Sequence, residues 1–319
     1  MSCPAWIDHP CGERRSCESR QGGAVATLGW LGTGRMGAAM AGRLIDAGNE
    51  VLVWNRTKAK TDPLVDKGAR VVDAIADLGA ADIVFIMVSA SADLEQVVTG
   101  PEGLLAAAQR PNIIVDCSTV SADTSAHVRA AARDAGVQFL AAPVSGNPHV
   151  VAEGEAVIVA SGPTETYDAV EPYLEQVAKH AVHAGTEEQS RLVKLCHNLY
   201  LGMMVQALVE VTTLAEKGGT DRRAFLEFLN ATVLGSDWVR KRTPDLVNLD
   251  WTPTFTTELL RKDFDLGLGA ARELEVPMAV GATVQQLIWS AIGIGLREED
   301  FLSLYVQQAR GADMTPEPR

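Results

Sequence analysis

Three segments carry residue types with chemical use at useful spacing. Lys194-Leu-Cys-His-Asn198 lies in a stretch that reads as helix, so Lys194 and Asn198, four apart, share one face. A lysine in the apolar run Leu192–Tyr200 has two readings: a surface residue whose stem snorkels over its neighbours, or a proton donor with a lowered pKa. Ala142-Pro-Val-Ser-Gly-Asn147 is a turn bearing a hydroxyl (Ser145), a flexible residue (Gly146) and an amide (Asn147), types suited to holding a carboxylate. Val115-Asp-Cys-Ser-Thr-Val120 puts Ser118 and Thr119 just after a strand-like run, on the carboxyl edge where doubly wound sheets bind ligands.

A fourth segment is a candidate phosphate cradle. Gly32-Thr-Gly-Arg-Met-Gly37 follows the apolar run Val25–Leu31 and leads into Ala38–Ala47, a helix former that ends at Gly48. In that context Gly32 allows the tight turn, Gly34 lets a pyrophosphate approach, and Gly37 lets helix pack on strand. Thr33, Arg35 and Met36 complete the loop, whose helix N-terminus offers free N–H groups to an anion. An NAD site places a carboxylate at the end of the second strand to accept from the ribose hydroxyls. Here Asn55-Arg56-Thr57 stands there, with Lys58 and Lys60 behind. Arg56 can pair with a 2′-phosphate that a carboxylate would repel, and Asn55 and Thr57 can hydrogen-bond it, so NADP(H) is the expected cofactor and NAD(H) the alternative. Val88 and Ser89, closing the run Ile83–Val88, are assigned to the cofactor as well.

The elements that must position these groups follow an α/β pattern and then an all-α one. Strand-like runs recur at Val51–Trp54, Val71-Val72, Ile83–Val88, Ile113–Val115 and Val137–Leu140 with helical stretches between, which makes a parallel sheet covered on both faces. Val157–Ala160 reads as one more strand and Thr164–Val177 as a helix behind it. After Gly185 the strands stop. Glu187–Lys217 reads as one long helix, closed by Gly218-Gly219, and Asp221–Ala231, Thr257–Leu274, Pro277–Gly293 and Glu299–Ala309 read as further helices. The expected fold is therefore a Rossmann-type doubly wound domain over residues 24–185 and an all-helical domain over residues 186–311, joined by the long helix. Residues 1–23 read as a disordered extension and 312–319 as a tail.

The 319 residues suit about two domains at roughly 150 residues each. Apolar residues at 47% and charged residues at 22% fit a globular protein with a sizeable core. The longest apolar stretches, such as Tyr200–Val209, are well short of the roughly 20 residues of a membrane span. A net charge of 28 − 41 = −13 disfavours nucleic acid and anionic membrane surfaces as partners. Five cysteines, an odd number, point to free thiols, a reducing compartment and a cytoplasmic location. Cys3, Cys11 and Cys17 have neither a paired CxxC nor a histidine at zinc-finger spacing, so no metal site is expected. Long apolar helices, such as Tyr200–Val209 and Val280–Ile288, offer more surface than one small bundle covers, so a homodimer or homotetramer is expected through Glu187–Gly311.

Taken together, the motifs resemble those of the β-hydroxyacid dehydrogenase superfamily, the group of 3-hydroxyisobutyrate, tartronate semialdehyde and glyoxylate/succinic semialdehyde enzymes. Gly32–Gly37 running on through Met40-Ala41, Pro143-Val144-Ser145-Gly146, Lys194–Asn198 and Lys262-Asp263 occur in the family's order. The resemblance implies that Lys194 is the proton donor and acceptor and that Asn198 orients substrate and lysine. It implies that Ser145 and Gly146 hold a substrate carboxylate and that Thr119 and Lys262 contact the cofactor. Two departures stand out. Asn147 occupies the place of the loop's usual second glycine, which bears on substrate size. His197 makes the helix motif Lys-x-x-His-Asn, the pattern of 6-phosphogluconate dehydrogenase, where that histidine contacts substrate; packing against a neighbour is the other reading. Trp238 falls where the family often has an aromatic pocket wall, and core packing is its alternative. The function implied is NADP(H)-dependent hydride transfer to or from a small carboxylate-bearing aldehyde or hydroxyacid. An imine reductase and a non-catalytic NADP-binding module are the alternatives.

Overall fold

The computed structural model describes residues 26–315, 317 and 318. The expected extension over residues 1–23, with its three cysteines, lies outside them. The chain opens with β1 (Leu28–Leu31), α1 (Arg35–Asp46), β2 (Val51–Trp54), the short α2 (Asp62–Val65), β3 (Arg70–Val71), β4 (Ile83–Ile86), α3 (Ser91–Thr99), β5 (Ile113–Asp116), α4 (Ala122–Asp134) and β6 (Gln138–Ala141). The six strands form one parallel sheet in the order β3-β2-β1-β4-β5-β6. Alternate residues feed two separate cores. Leu28, Trp30, Val53 and Phe85 pack on one face, and Leu31, Leu52, Val84 and Ile86 on the other. Near-continuous apolar strands are what a sheet buried on both sides requires.

Val157–Ala160 is a strand, but of a second sheet. After β6 the chain runs on in the same direction into β7 (Val144–Ser145), which pairs with a different strand. It then passes through α5 (Pro148–Ala152) into β8 (Val157–Ala160), and through α6 (Thr164–Val177) to β9 (His180–His183). The order β7-β8-β9 pairs β7 antiparallel and β9 parallel to β8. Ser145 thus stands on an edge strand, opposite Val157.

The helical domain begins with α7 (Gln189–Lys217), 29 residues long, followed by α8 (Arg222–Ala231), α9 (Asp237–Asn248), α10 (Thr257–Glu273), α11 (Ala279–Gly293) and α12 (Leu304–Gly311). The side chains of Asp221, Ser236 and Thr256 cap α8, α9 and α10 by accepting from the third backbone N–H beyond them. The expected helix Glu299–Ala309 instead starts with a 3₁₀ turn over Phe301–Ser303, because the buried Asp300 accepts from Leu302 N–H and sets a tighter first turn. Among the described helices, α7 is the one long and apolar enough to cross a bilayer, yet half of its most apolar stretch is buried inside the protein. Its inward face also carries the buried Arg191 and Lys194.

Arg191 fixes how α7 meets the sheet. Its guanidinium lies 2.5 Å from Asp116 at the end of β5, with both side chains buried. It also donates to Ser118 O at 2.6 Å and to Ser125 Oγ at 3.1 Å. A buried charge pair with its remaining donors satisfied specifies one geometry, whatever its net contribution to stability. Lys194 follows Arg191 by three residues, so this anchor holds the lysine's turn against the carboxyl edge.

Candidate active site

The glycine loop has the form of a dinucleotide cradle. Gly32 has φ of +95°, and a Cβ there would meet Met87 O at 2.2 Å. Gly34 is the N-cap of α1, which no side chain caps, and a Cβ on it would meet nothing within 4 Å. The first amides of α1 therefore face open space beside a glycine, as an incoming phosphate requires. The helix begins at Arg35, three residues before the start read from sequence.

Several residues assigned to the cofactor also brace this loop. Asn55 Oδ1 accepts from Thr33 N–H and Asn55 Nδ2 donates to Thr57 O, both at 2.9 Å. Thr33 Oγ donates to Lys60 O at 3.0 Å and is buried. These bonds tie the glycine loop to the turn after β2. Arg56 is left as the group presented outward, 80% exposed and 3.6 Å from Asp93, while Lys58 pairs with Asp73. The cradle and Arg56 fit a phosphorylated dinucleotide. Met36 packs partly into the sheet core, and Arg35 donates across to Pro253 O in the helical domain. Val88 and Ser89 lie just beyond β4 on the same edge, where Val88 N–H donates to the buried Ser118 Oγ.

His197, Asn198 and Ser145 converge although Ser145 comes from β7 and the others from α7, and Lys194, one turn before Asn198, is near enough for its charge to act on His197. Ser145 Oγ is 3.1 Å from His197 Nε2, and His197 Nδ1 is 2.9 Å from Asn198 Oδ1. Asn198 Nδ2 donates to Asp263 Oδ2 on α10, and the other Asp263 oxygen lies 3.3 Å from Lys262 Nζ. Lys262 in turn donates to Thr119 O at 3.0 Å, which joins α10 to the sheet edge. Lys194 is buried, and the loss of hydration lowers its pKa to about 8, against the opposing pull of Asp263 and with a smaller contribution from the Lys262 charge. Burial also lowers the His197 pKa, helped by the charge of Lys194 and opposed by the Asn198 hydrogen bond. The arrangement presents a buried amine that can exist in either protonation state near neutral pH, on the helix whose His197 and Asn198 reach the Ser145 hydroxyl.

Other assigned residues have structural duties. Asn147 Oδ1 accepts from Val150 N–H and caps α5, so its carbonyl serves the fold. Trp238 packs against the helical core, tilted on Phe301 with ring centroids 6.0 Å apart. Gly146 is exposed beside Ser145. Sequence reasoning assigned no role to Asp263, Arg191 or Asp116. Asp263 neighbours the motif lysine Lys262; for the Arg191–Asp116 pair no spacing signal existed, since the partners are 75 residues apart.

A doubly wound sheet with an open glycine cradle, facing a helical domain that supplies a buried lysine, defines a nicotinamide-dependent oxidoreductase. Residues 27–185 match the NAD binding domain of 6-phosphogluconate dehydrogenase, and residues 189–306 match the NAD-binding domain of NADP-dependent 3-hydroxyisobutyrate dehydrogenase. The chain is 30% identical over 278 residues to the chloroplastic glyoxylate/succinic semialdehyde reductase 2 of Arabidopsis thaliana, covering 87% of this chain and 78% of that one. It is 28% identical over 279 residues to the human cytokine-like nuclear factor N-PAC, of which it spans 50%. The structure of Mycobacterium tuberculosis 3-hydroxyisobutyrate dehydrogenase with L-serine superposes with a TM-score of 0.80 at 25% identity, over 89% of this chain and 99% of that one. The chain belongs to the β-hydroxyacid dehydrogenase family, that of 3-hydroxyisobutyrate dehydrogenase and glyoxylate reductase.

Proposed function

We propose that the chain is an NADP(H)-dependent oxidoreductase acting on a small β-hydroxyacid or the corresponding semialdehyde, with Lys194 as proton donor and acceptor. The observation that carries this reading is the buried Lys194, its pKa lowered to about 8, on the helix that also brings His197 to Ser145. In reduction the Lys194 ammonium protonates the carbonyl oxygen as negative charge develops there; in oxidation the neutral amine takes the alcohol proton. Ser145 and the Gly146 backbone hold the substrate carboxylate, and Asn198 keeps the lysine's turn oriented through Asp263. The nicotinamide, when bound, supplies or accepts the hydride. The glycine loop Gly32–Gly37 would hold its pyrophosphate and Arg56 the 2′-phosphate, with Lys262 and Thr119 at the junction of the two domains.

The test is a panel of glyoxylate, succinic semialdehyde, 3-hydroxyisobutyrate, 6-phosphogluconate and a cyclic imine, each with NADPH or NADP⁺. Turnover of a small carboxylate aldehyde or hydroxyacid is expected. Turnover of the imine alone would reassign the site to imine reduction, and no turnover with any member would leave a nucleotide-binding module.

A further inference from the structure

The hydrogen bonds around His197 have a fixed direction. The Asp263 carboxylate only accepts, so Asn198 must turn its nitrogen toward Asp263 and its oxygen toward His197. His197 Nδ1 must then carry a hydrogen. In a neutral imidazole that leaves Nε2 as an acceptor, filled by the Ser145 hydroxyl at 3.1 Å. Ser145 thus spends its proton on His197 and shows only lone pairs to the cleft. A carboxylate cannot bind to lone pairs. For Ser145 to donate to an anion while keeping its bond to the ring, Nε2 must become a donor too, and Asp263 blocks the tautomer exchange that would otherwise achieve this.

We propose that binding of an anionic substrate is coupled to uptake of one proton at His197: the ring takes H⁺ from solvent and keeps it on Nε2, from where it hydrogen-bonds to Ser145 Oγ, so that the Ser145 hydroxyl hydrogen is free to hydrogen-bond the substrate carboxylate. This deepens the reading of Ser145 as the carboxylate clamp and rests on it. The groups acting on the ring are Ser145 from β7, Lys194 and Asn198 from α7, and, through Asn198, Asp263 and Lys262 from α10. Without ligand, burial and the Lys194 charge keep His197 neutral at pH 7. The incoming anion offsets both, which lets the ring charge.

The experiment is calorimetric titration of the NADP⁺-loaded protein with whichever carboxylate aldehyde of the panel turns over, starting with succinic semialdehyde. Run at pH 7 in PIPES and in Tris, the difference in heat counts the protons exchanged. Lys194, with a pKa of about 8, is about nine-tenths protonated at pH 7 and can contribute only about a tenth of a proton. Uptake above about half a proton per site is expected, falling to that tenth in His197→Gln, whose amide nitrogen is a permanent donor. Uptake of about a tenth or less in the parent protein, with binding intact, overturns the coupling and leaves the functional reading standing. Failure of every carboxylate aldehyde to bind overturns both.

Discussion

Lys194 makes opposing demands on activity and stability. Its pKa falls from an ordinary 10.5 to about 8, so the folded state disfavours its charged form by roughly 3 kcal/mol. Lys194→Met is accordingly expected to raise unfolding free energy near pH 7 by up to about 3 kcal/mol, because it removes a buried charge and fills the space. The sign can be checked by titration. Between about pH 8 and 10.5 the unfolded chain binds more protons than the folded one, so the parent gains stability with rising pH and the Met variant lacks that rise. Lys194→Ala is expected to lower kcat by roughly 10²–10⁴ with cofactor affinity little changed, since the cradle and Arg56 lie in the other domain. In the parent, reduction should fall off above about pH 8 as the ammonium is lost. For Arg56, exposed and held by a surface ion pair with Asp93 that a phosphate can displace, Arg56→Ala is expected to erase an NADPH preference of at least about tenfold, roughly 1.4 kcal/mol, while sparing NADH binding; equal affinities in the parent would refute that role. Lys194, Asn198 and Ser145 were legible in sequence because each lies in a motif with local context. The roles of Asp263 and Arg191 were not, because each is defined by a partner 65 or 75 residues away that only the fold brings near.

The elements legible from sequence are mostly those with a clear apolar pattern: the strands β1, β2, β4, β5, β6 and β8, and the helices α1, α6, α7, α8, α10 and α11. The elements without that signal are short or polar. β7 has two residues, β9 carries histidines at both ends, and α9 contains Pro244 and five charged residues. Tertiary contacts and the Ser236 cap hold α9 despite its proline. At the crossing of α7 and α10, a Cβ on Gly202 would sit 2.4 Å from the Phe264 ring, and one on Gly267 would sit 2.7 Å from Leu199. This close approach sets the separation between the helix bearing Lys194 and Asn198 and the helix bearing Lys262 and Asp263. Gly202→Ala is therefore expected to destabilise the fold by about 1–3 kcal/mol, read as a fall in Tm, and to lower kcat through the widened crossing. Full stability with full activity would show that Phe264 can yield without moving α10.

At the scale of the whole molecule, α7 has two faces with different work. The inward face carries Arg191, Lys194 and Asn198 into the site, while the outward face shows Val193, Cys196, Tyr200, Val211 and Leu214 to solvent. Tyr200 and Leu214 are 66% and 73% exposed, and Leu274, Val276 and Val280 continue the patch across the α10–α11 turn. Between them lies an apolar hollow of about 210 Å³, lined by Leu192, Cys196, Met203, Leu274, Val276 and Met278. Apolar surface gathered in this way is what a subunit interface covers, and a second copy is the occupant expected for the helical domain. Light scattering at micromolar concentration is expected to give a dimer or tetramer, and a monomer would refute the assignment. Tyr200→Glu combined with Leu214→Glu should shift the mass toward the monomer, because a buried unpaired carboxylate at each position opposes association. Both positions point away from Lys194, so the effect on catalysis should act through the helix alone. The parent's Tm should rise with protein concentration, as mass action requires of a coupled folding and assembly equilibrium, and the double variant's Tm should be independent of it.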